Sequence, residues 1–262
     1  MEPKLPSQRF EEEISRAAKA SGHAGTDNPN VMKTGTTALA LKYRGGVVVA
    51  ADRRAVMGHT ISMHDCRKIE IISSVSLMTG AGLLVGIRLV AELLQRHFRS
   101  YELENGFVLP LRGQANILKN IVRSLCLYNG IPLNSQFILA GYDVNRDQPR
   151  IYTVDGLGGT EEASDYYVIG SGAISAISFF DNNYRPSLTI KQAGFMAMNA
   201  IGLSGNRDIY TEPPIIAPPL IMSVDSESVN IINLISHPTE DKAPPNSNEA
   251  PPNNPDGGSQ NE

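Results

Sequence analysis

The sequence of 262 residues contains no tryptophan, only two cysteines and no long hydrophobic run. The two cysteines, Cys66 and Cys126, cannot form a disulfide framework or a Cys-x-x-Cys pair of metal ligands, so we expect a protein of the reducing cytoplasm. No run approaches the ~20 apolar residues that span a bilayer. The N-terminal region carries Glu11-Glu12-Glu13 instead of the apolar centre of a secretion signal. We therefore expect no export and no membrane partner.

A basic face is also missing, because the formal net charge is -4. Proteins that bind nucleic acids usually carry a positive surface, so we expect no nucleic-acid partner. The five histidines include no pair at metal-ligand spacing, and we expect no metal site. His59 and His64 lie near Asp65 in residues 57–67, which we predict to be a polar loop with solvated side chains. Gly170-Ser171-Gly172 lacks the flanking pattern of a nucleotide-binding loop, so we expect no cofactor.

Hydrophobic periodicity predicts the secondary structure. We expect strands at residues 36–42, 47–51, 68–72, 75–79, 136–142, 149–155, 165–169, 220–224 and 229–235, and helices at 83–101, 114–128, 173–180 and 189–203. Strands and pairs of helices therefore follow one another in blocks, unlike the strict alternation of a parallel sheet. This order predicts an α+β fold in which two antiparallel sheets pack together between two helix pairs, as a four-layer α-β-β-α sandwich.

The two ends of the chain differ from the part between them. Residues 1–35 contain no strand-like run, although residues 8–21 could form a short helix. The segment is therefore either a disordered extension or a removable propeptide. Residues 237–262 are rich in proline, asparagine and glycine and poor in apolar side chains, so we expect a disordered tail. The folded domain is expected at residues 36–236.

The first predicted hairpin carries the strongest chemical signal. Cleavage between Gly35 and Thr36 would place a threonine at a new N-terminus, with a hydroxyl nucleophile and an amine base on one residue. Asp52 follows the second strand of this hairpin, and Lys68 opens a later strand. Each charged residue alone would also fit a strand that emerges into solvent.

The run from Thr36 to Gly58 resembles the start of a mature proteasome β subunit of the bacterial or archaeal type. The similarity continues in order through residues 67–69, 81–82, 139–143, 158–159, 169–172 and 207–208. This resemblance implies the N-terminal nucleophile hydrolase fold and a threonine peptidase that is made as an inactive precursor. It also implies that Thr36 attacks the Gly35 carbonyl and thereby removes its own propeptide.

The resemblance further implies a role for each matching residue. Thr36 would be the nucleophile, with its own α-amino group as the base. Lys68 would hold the hydroxyl ready, Asp52 would orient that lysine, and the Gly82 amide would stabilise the oxyanion. Ser171 and Asp208 match the residues that hold the new terminus, and Arg54 matches supporting structure. By position, the candidates for the substrate pocket are Ala55, Cys66, Glu70 and Gly80.

The sequence departs from the family pattern in two places. Thr211 and Glu212 stand where a serine and a glycine usually follow the aspartate, and Ala173 replaces the last serine of a Gly-Ser-Gly-Ser run. Both departures fall on residues expected to support the site, and neither falls on the nucleophile.

The resemblance also implies partners. These are a homo-heptameric β ring stacked on a second β ring, α-subunit rings at both ends, a ring-shaped ATPase that acts through the α rings, and unfolded polypeptides as substrates. Two other functions fit the same residues. The chain could be a non-catalytic structural β subunit, or an N-terminal nucleophile amidohydrolase that acts on small amides.

Overall fold

A computed structural model describes residues 35–128 and 133–234 of the chain. The helix predicted at residues 8–21 and the tail at 237–262 lie outside these ranges. The strands are β1 (Thr37–Tyr43), β2 (Gly46–Ala51), β3 (Ala55–Met57), β4 (Thr60–Met63), β5 (Ile69–Ser73), β6 (Ser76–Gly82), β7 (Ser135–Asp143), β8 (Gln148–Val154), β9 (Thr160–Ala163), β10 (Tyr166–Gly170), β11 (Leu220–Asp225) and β12 (Val229–Ile231). The helices are α1 (Leu84–Asn105), α2 (Leu111–Arg123), α3 (Ala173–Asn183) and α4 (Ile190–Gly205), and a π-helix, Ser124–Tyr128, continues α2.

Two five-stranded antiparallel sheets form the centre of the fold. The first has the order β10-β1-β2-β11-β12, and the second is a meander in the order β5-β6-β7-β8-β9. One apolar core lies between the sheets, a second lies under α1 and α2, and a third lies under α3 and α4. The predicted four-layer sandwich is therefore confirmed. Representative core residues are Ala38, Val49 and Ile138 between the sheets, Leu94, Leu118 and Phe137 under α1 and α2, and Leu39, Phe180 and Ala197 under α3 and α4.

The β1–β2 hairpin is buried on both faces. Along β1, Ala38 and Ala40 face the other sheet, whereas Leu39 and Leu41 face the helices. Along β1, alanines therefore pack in the core between the sheets, and leucines pack in the core under α3 and α4. Each leucine that becomes fully buried contributes about 1.5–3 kcal/mol to stability. This burial fixes the position of the residues at the two ends of β1.

Helix α4 connects the core to the turn after β10. It begins with a capping box, in which Thr189 Oγ1 accepts from the Gln192 amide and Gln192 Oε1 accepts from the Thr189 amide. Near its other end, the hydroxyl of Ser204 donates to the Gly172 carbonyl at 2.9 Å. The helix thus holds the turn that carries Ser171.

Three local predictions were wrong. Residues 57–67 are not a simple loop, because β3 and β4 form a separate two-stranded sheet there. Strand β9 was not expected, because its Thr-Glu-Glu-Ala sequence has no apolar face. The predicted second helix is α2 followed by a π-helix, which keeps the chain helical but changes its hydrogen-bond spacing. In the described ranges, no helix has the length and apolar character needed to cross a bilayer.

Candidate active site

Thr36 precedes β1 and is buried against the peptide bond that joins it to Gly35. Its hydroxyl donates to the Gly35 carbonyl at 2.7 Å, and its amide donates to Ser171 Oγ at 3.3 Å. Pairing of β1 with β10 places Thr37 opposite Gly170, which brings Ser171 to this position. The Thr36 hydroxyl therefore lies beside the bond that we expect it to attack.

Lys68 and Asp52 form a buried ion pair next to this peptide bond. Lys68 Nζ is 2.8 Å from Asp52 Oδ1 and 3.4 Å from the Gly35 carbonyl oxygen. Asp52 follows β2 in one sheet, whereas Lys68 precedes β5 in the other, so the pair joins the two sheets. Asp52 Oδ1 also accepts from the Thr37 amide at 2.9 Å. Because a lone buried charge is very unfavourable, each member of the pair depends on the other.

Ser171, Asp208 and Thr211 form a chain of hydrogen bonds beside Thr36. The hydroxyls of Ser171 and Thr211 each donate to Asp208 Oδ2 at 2.6 Å. Thr211 Oγ1 also lies 2.6 Å from Thr37 Oγ1, and the Thr211 side chain is buried. Thr211 thus supplies a hydroxyl where the family usually has serine.

Glu212 occupies the second unusual position and is completely buried. Its carboxylate accepts from Arg54 Nη2 at 2.9 Å and from Arg54 Nε at 3.3 Å, and it lies 2.6 Å from His64 Nδ1. The Glu212 amide donates to Asp52 Oδ2 at 3.0 Å. Burial raises the pKa of Glu212, but the hydrogen bonds from Arg54 and His64 outweigh it and hold the pKa below its usual value. Sequence reasoning missed this cluster and treated His64 as solvated.

Two glycines allow the backbone to pack closely around Thr36. A Cβ atom on Gly35 would lie 1.7 Å from Tyr210 Cβ. Gly170 has a φ of 100°, and a Cβ there would lie 1.9 Å from the Thr36 carbonyl oxygen. Glycine is favoured at positive φ because it has no side chain to clash. Both positions therefore require glycine.

An apolar cavity of about 380 Å³ opens beside Thr36 and Lys68. Of the predicted pocket residues, Ala55, Cys66 and Gly80 line it, and Glu70 on β5 does not. Burial raises the pKa of the Cys66 thiol, which favours its neutral form. Sequence reasoning missed the wall formed by β3, β4 and the start of α1. The lining residues from these elements include Val56, Met57, Met63, Val85, Ile87 and Arg88.

Gly82 lies at the end of β6, on the border of the same cavity. A second cavity of about 360 Å³ is also lined by Thr36 and Gly82, together with Ser135 on β7. Gly82 pairs with Ser135 in the β6–β7 ladder. A substrate carbonyl that reaches Thr36 would therefore pass close to Gly82.

Within residues 35–128 and 133–234, no group of three His, Cys, Asp or Glu side chains could hold a metal ion.

Comparisons with known proteins identify the family of the chain. The sequence profile of the family described as "Proteasome subunit" matches residues 32–217. The chain is 35% identical over 189 residues to "Proteasome subunit beta 2" of Hyperthermus butylicus, covering 72% of this chain and 85% of that protein. It is 34% identical over 179 residues to "Proteasome subunit beta 2" of Thermococcus gammatolerans, covering 68% and 86% respectively. It is 36% identical over 186 residues to "Proteasome subunit beta" of Streptomyces griseus, covering 70% and 65%.

The matched region begins just before Thr36 and includes Asp52, Lys68, Ser171 and Asp208. The fold, the family profile and the similarity to β subunits of archaea and bacteria lead to one conclusion: the chain belongs to the proteasome subunit family.

Proposed function

We propose that the chain is a catalytic β subunit of a cytoplasmic proteasome, a threonine endopeptidase that cleaves unfolded polypeptides. The observation that carries this proposal is the buried Lys68–Asp52 ion pair at the Gly35–Thr36 peptide bond. A subunit that only built the ring would have no need for a buried charge pair at this position. Such a pair costs desolvation energy that well-packed apolar side chains would avoid.

The first reaction would be activation of the precursor. Thr36 Oγ attacks the Gly35 carbonyl carbon, and the C–N bond to Thr36 breaks as its nitrogen takes up the hydroxyl proton. Lys68 Nζ, 3.4 Å from the Gly35 oxygen, stabilises the negative charge that develops there. Water then hydrolyses the resulting ester, which releases residues 1–35 and leaves Thr36 with a free amine and a free hydroxyl.

Substrate cleavage would repeat this chemistry on another chain. The free α-amine of Thr36, with a reference pKa of about 8, accepts the hydroxyl proton as Oγ attacks the substrate carbonyl. The Gly82 amide donates to the oxyanion, and loss of one such donor typically costs about 3–4 kcal/mol. The Thr36 α-ammonium group then gives this proton to the leaving amine of the substrate. Water hydrolyses the acyl ester that remains on Thr36. Lys68, held in place by Asp52, stabilises the negative charge that develops on Thr36 Oγ during the attack.

The cavity beside Thr36 supports a preference for apolar side chains before the cleaved bond. Its walls are mostly aliphatic, with Met57, Met63 and Ile87 among them. Burial of a large apolar side chain there contributes about 1.5–3 kcal/mol to binding. Arg88 also lines the cavity, so an acidic side chain would find one complementary charge.

Assembly into rings is the second part of the proposal. The relatives are named as proteasome β subunits, and we infer a β ring of seven copies that stacks on a second β ring between α-subunit rings, with an ATPase ring delivering substrates. Exposed apolar side chains on α3 and in the loop after α4 support buried contacts of this kind. Ile174 is 84% exposed and Ile215 is 93% exposed.

The intact mass of the purified, assembled protein tests the proposal. We expect loss of residues 1–35, because only then does Thr36 carry a free amine. Thr36→Ala should keep residues 1–35 attached and abolish peptide cleavage, whereas Thr60→Ala, at an exposed position on β4, should process and cleave normally. An assembled complex that retains the segment would favour the non-catalytic alternative. Cleavage of small amides without cleavage of peptides would favour the amidohydrolase.

A further inference from the structure

The β3–β4 hairpin forms one wall of the apolar cavity but has little support of its own. It is a separate two-stranded sheet, and the residues of β4 are exposed. Isolated two-stranded hairpins are marginally stable in water. The position of Met57 and Met63 in the cavity wall therefore depends on contacts that attach the hairpin to the rest of the fold.

One backbone hydrogen bond and one side-chain hydrogen bond hold the base of this hairpin. The Cys66 amide donates to the Arg53 carbonyl at 2.9 Å, and Arg53 Nη2 donates to the Asp65 carbonyl at 3.1 Å. These bonds join the segments that enter and leave the hairpin to each other. They do not attach it to another part of the sandwich.

His64 provides such an attachment. It follows β4 directly, and its Nδ1 atom lies 2.6 Å from Glu212 Oε2 across 148 positions of sequence. The imidazole is half-exposed, but its partner is completely buried and fixed by two hydrogen bonds from Arg54. Hydrogen bonds to a charged acceptor are about twice as strong as neutral ones. The contact therefore anchors an exposed hairpin to a rigid, charged group in the interior.

Glu212 also contacts the proposed catalytic pair. The Glu212 amide donates to Asp52 Oδ2, and the Arg54 amide donates to that oxygen at 2.9 Å. Asp52 in turn holds Lys68. Glu212 thus contacts the hairpin through its side chain and the aspartate of the ion pair through its backbone.

We propose that Glu212 is a positioning residue that links the β3–β4 wall of the substrate pocket to the Asp52–Lys68 pair, with His64 as the tether of the hairpin. The inference rests on the proposed function. It concerns a residue that departs from the usual glycine, which has no side chain and could not make these contacts. Neither Glu212 nor His64 touches the reacting atoms.

A carboxylate is well suited to this role because both of its oxygens are used. Oε1 accepts from Arg54 Nη2, and Oε2 accepts from Arg54 Nε and faces His64. Glutamine has one oxygen and an NH2 group, which would face a donor of Arg54 or His64. Glu212→Gln should therefore weaken one side of the link without changing the size of the side chain.

The first test compares His64→Ala with His59→Ala in the assembled complex. His59 lies in the turn of the same hairpin and is exposed, so its substitution is a matched control. We expect His64→Ala to raise KM for a peptide with a large apolar residue before the cleaved bond by about three- to tenfold, and to change kcat less than KM. We also expect amide hydrogens at residues 55–63 to exchange about tenfold faster, and His64→Gln, which keeps an N–H donor, to recover most of both effects. Unchanged KM and exchange in His64→Ala would overturn the tether.

The second test uses Glu212→Gln and separates the two parts of the link. We expect both a higher KM and a lower kcat. The Glu212 side chain also binds Arg54, and the backbone amides of Glu212 and Arg54 both donate to Asp52. A Glu212→Gln complex with wild-type kcat would overturn the coupling to the ion pair. Failure of the proposed function is recognised separately. In that case the wild-type complex itself would not cleave peptides, whereas hydrogen exchange in His64→Ala would still measure the tether.

Discussion

Replacement of Gly35 by alanine should slow the proposed activation through a steric clash. The added Cβ would lie 1.7 Å from Tyr210 Cβ, 2.4 Å from Tyr210 Cγ and 3.0 Å from Ser171 Oγ. Because non-bonded carbon atoms normally stay ~3.5 Å apart, either Gly35 or Tyr210 must move by roughly 2 Å. The contact at Tyr210 Cβ cannot be relieved by rotating the tyrosine ring, since Cβ moves only with the backbone.

The cost follows from what Tyr210 holds in place. Its amide donates to Asp208 Oδ1, and Asp208 Oδ2 accepts from Ser171 and Thr211. Overpacking of this kind costs about 1–3 kcal/mol. If this strain raises the activation free energy of the attack by the same amount, self-cleavage should slow by about 5- to 150-fold, at 1.36 kcal/mol for each factor of ten.

The assay is the fraction of processed chain, measured by intact mass at successive times after assembly. Gly45→Ala is the matched control, since a Cβ on Gly45 would meet Tyr43 at an ordinary distance of 3.6 Å and this glycine is exposed. Tyr210→Gly removes both clashing carbons, so the double variant Gly35→Ala/Tyr210→Gly should process faster than Gly35→Ala alone. Processing of Gly35→Ala at the rate of Gly45→Ala would refute the steric argument.

Three further outcomes are expected. Lys68→Ala should abolish cleavage and lower the free energy of unfolding by about 3–5 kcal/mol, because Asp52 is left buried without its partner. Urea denaturation measures this free energy, and an unchanged value would contradict the structural importance of the pair. Thr211→Val should lower kcat by about tenfold through loss of the hydrogen bond to Asp208, with Thr211→Ser close to wild type in steady-state peptide cleavage. Because the pKa of Glu212 is lowered in the folded chain, its stabilising effect is present above its unfolded pKa and disappears as pH falls through the folded value. The free energies of unfolding of wild type and Glu212→Gln, measured by urea denaturation, should therefore differ at pH 7 and converge as the pH falls below the usual pKa of a glutamate side chain. A constant difference would contradict this.

The parts of the fold with strong periodicity were predictable from sequence. The β1–β2 hairpin was recognised because an alternating run, a Gly-Gly break and an unbroken apolar run follow one another, and the structure buries both of its strands. The β3–β4 hairpin was missed because its strands have only three and four residues, and β4 is exposed along its whole length although its Thr-Ile-Ser-Met sequence alternates. The π-helix after α2 was read as continuing α-helix, since the apolar spacing alone does not distinguish the two hydrogen-bond patterns.

The candidate site was predictable only in part. The resemblance drew attention to Thr36, Asp52 and Lys68, and the structure brings these three together. Its role assignments remain predictions. The contact between His64 and Glu212 could not be read from the sequence, because it depends on a loop folding back across 148 positions. The unusual Thr211-Glu212 pair was the one available signal in the sequence. It showed that these two positions depart from the family pattern, but not which residues they contact.

The two-sided pairing of β1 has a consequence for the terminus that the proposed activation would create. Chain ends usually fray because nothing holds their last residues. Here Thr37 pairs with Gly170 on one side, and its carbonyl accepts from the Asp52 amide at 3.1 Å on the other. Cutting the chain before Thr36 would therefore release an amine without releasing the strand that carries it. The new chain end would need no conformational search before it could act.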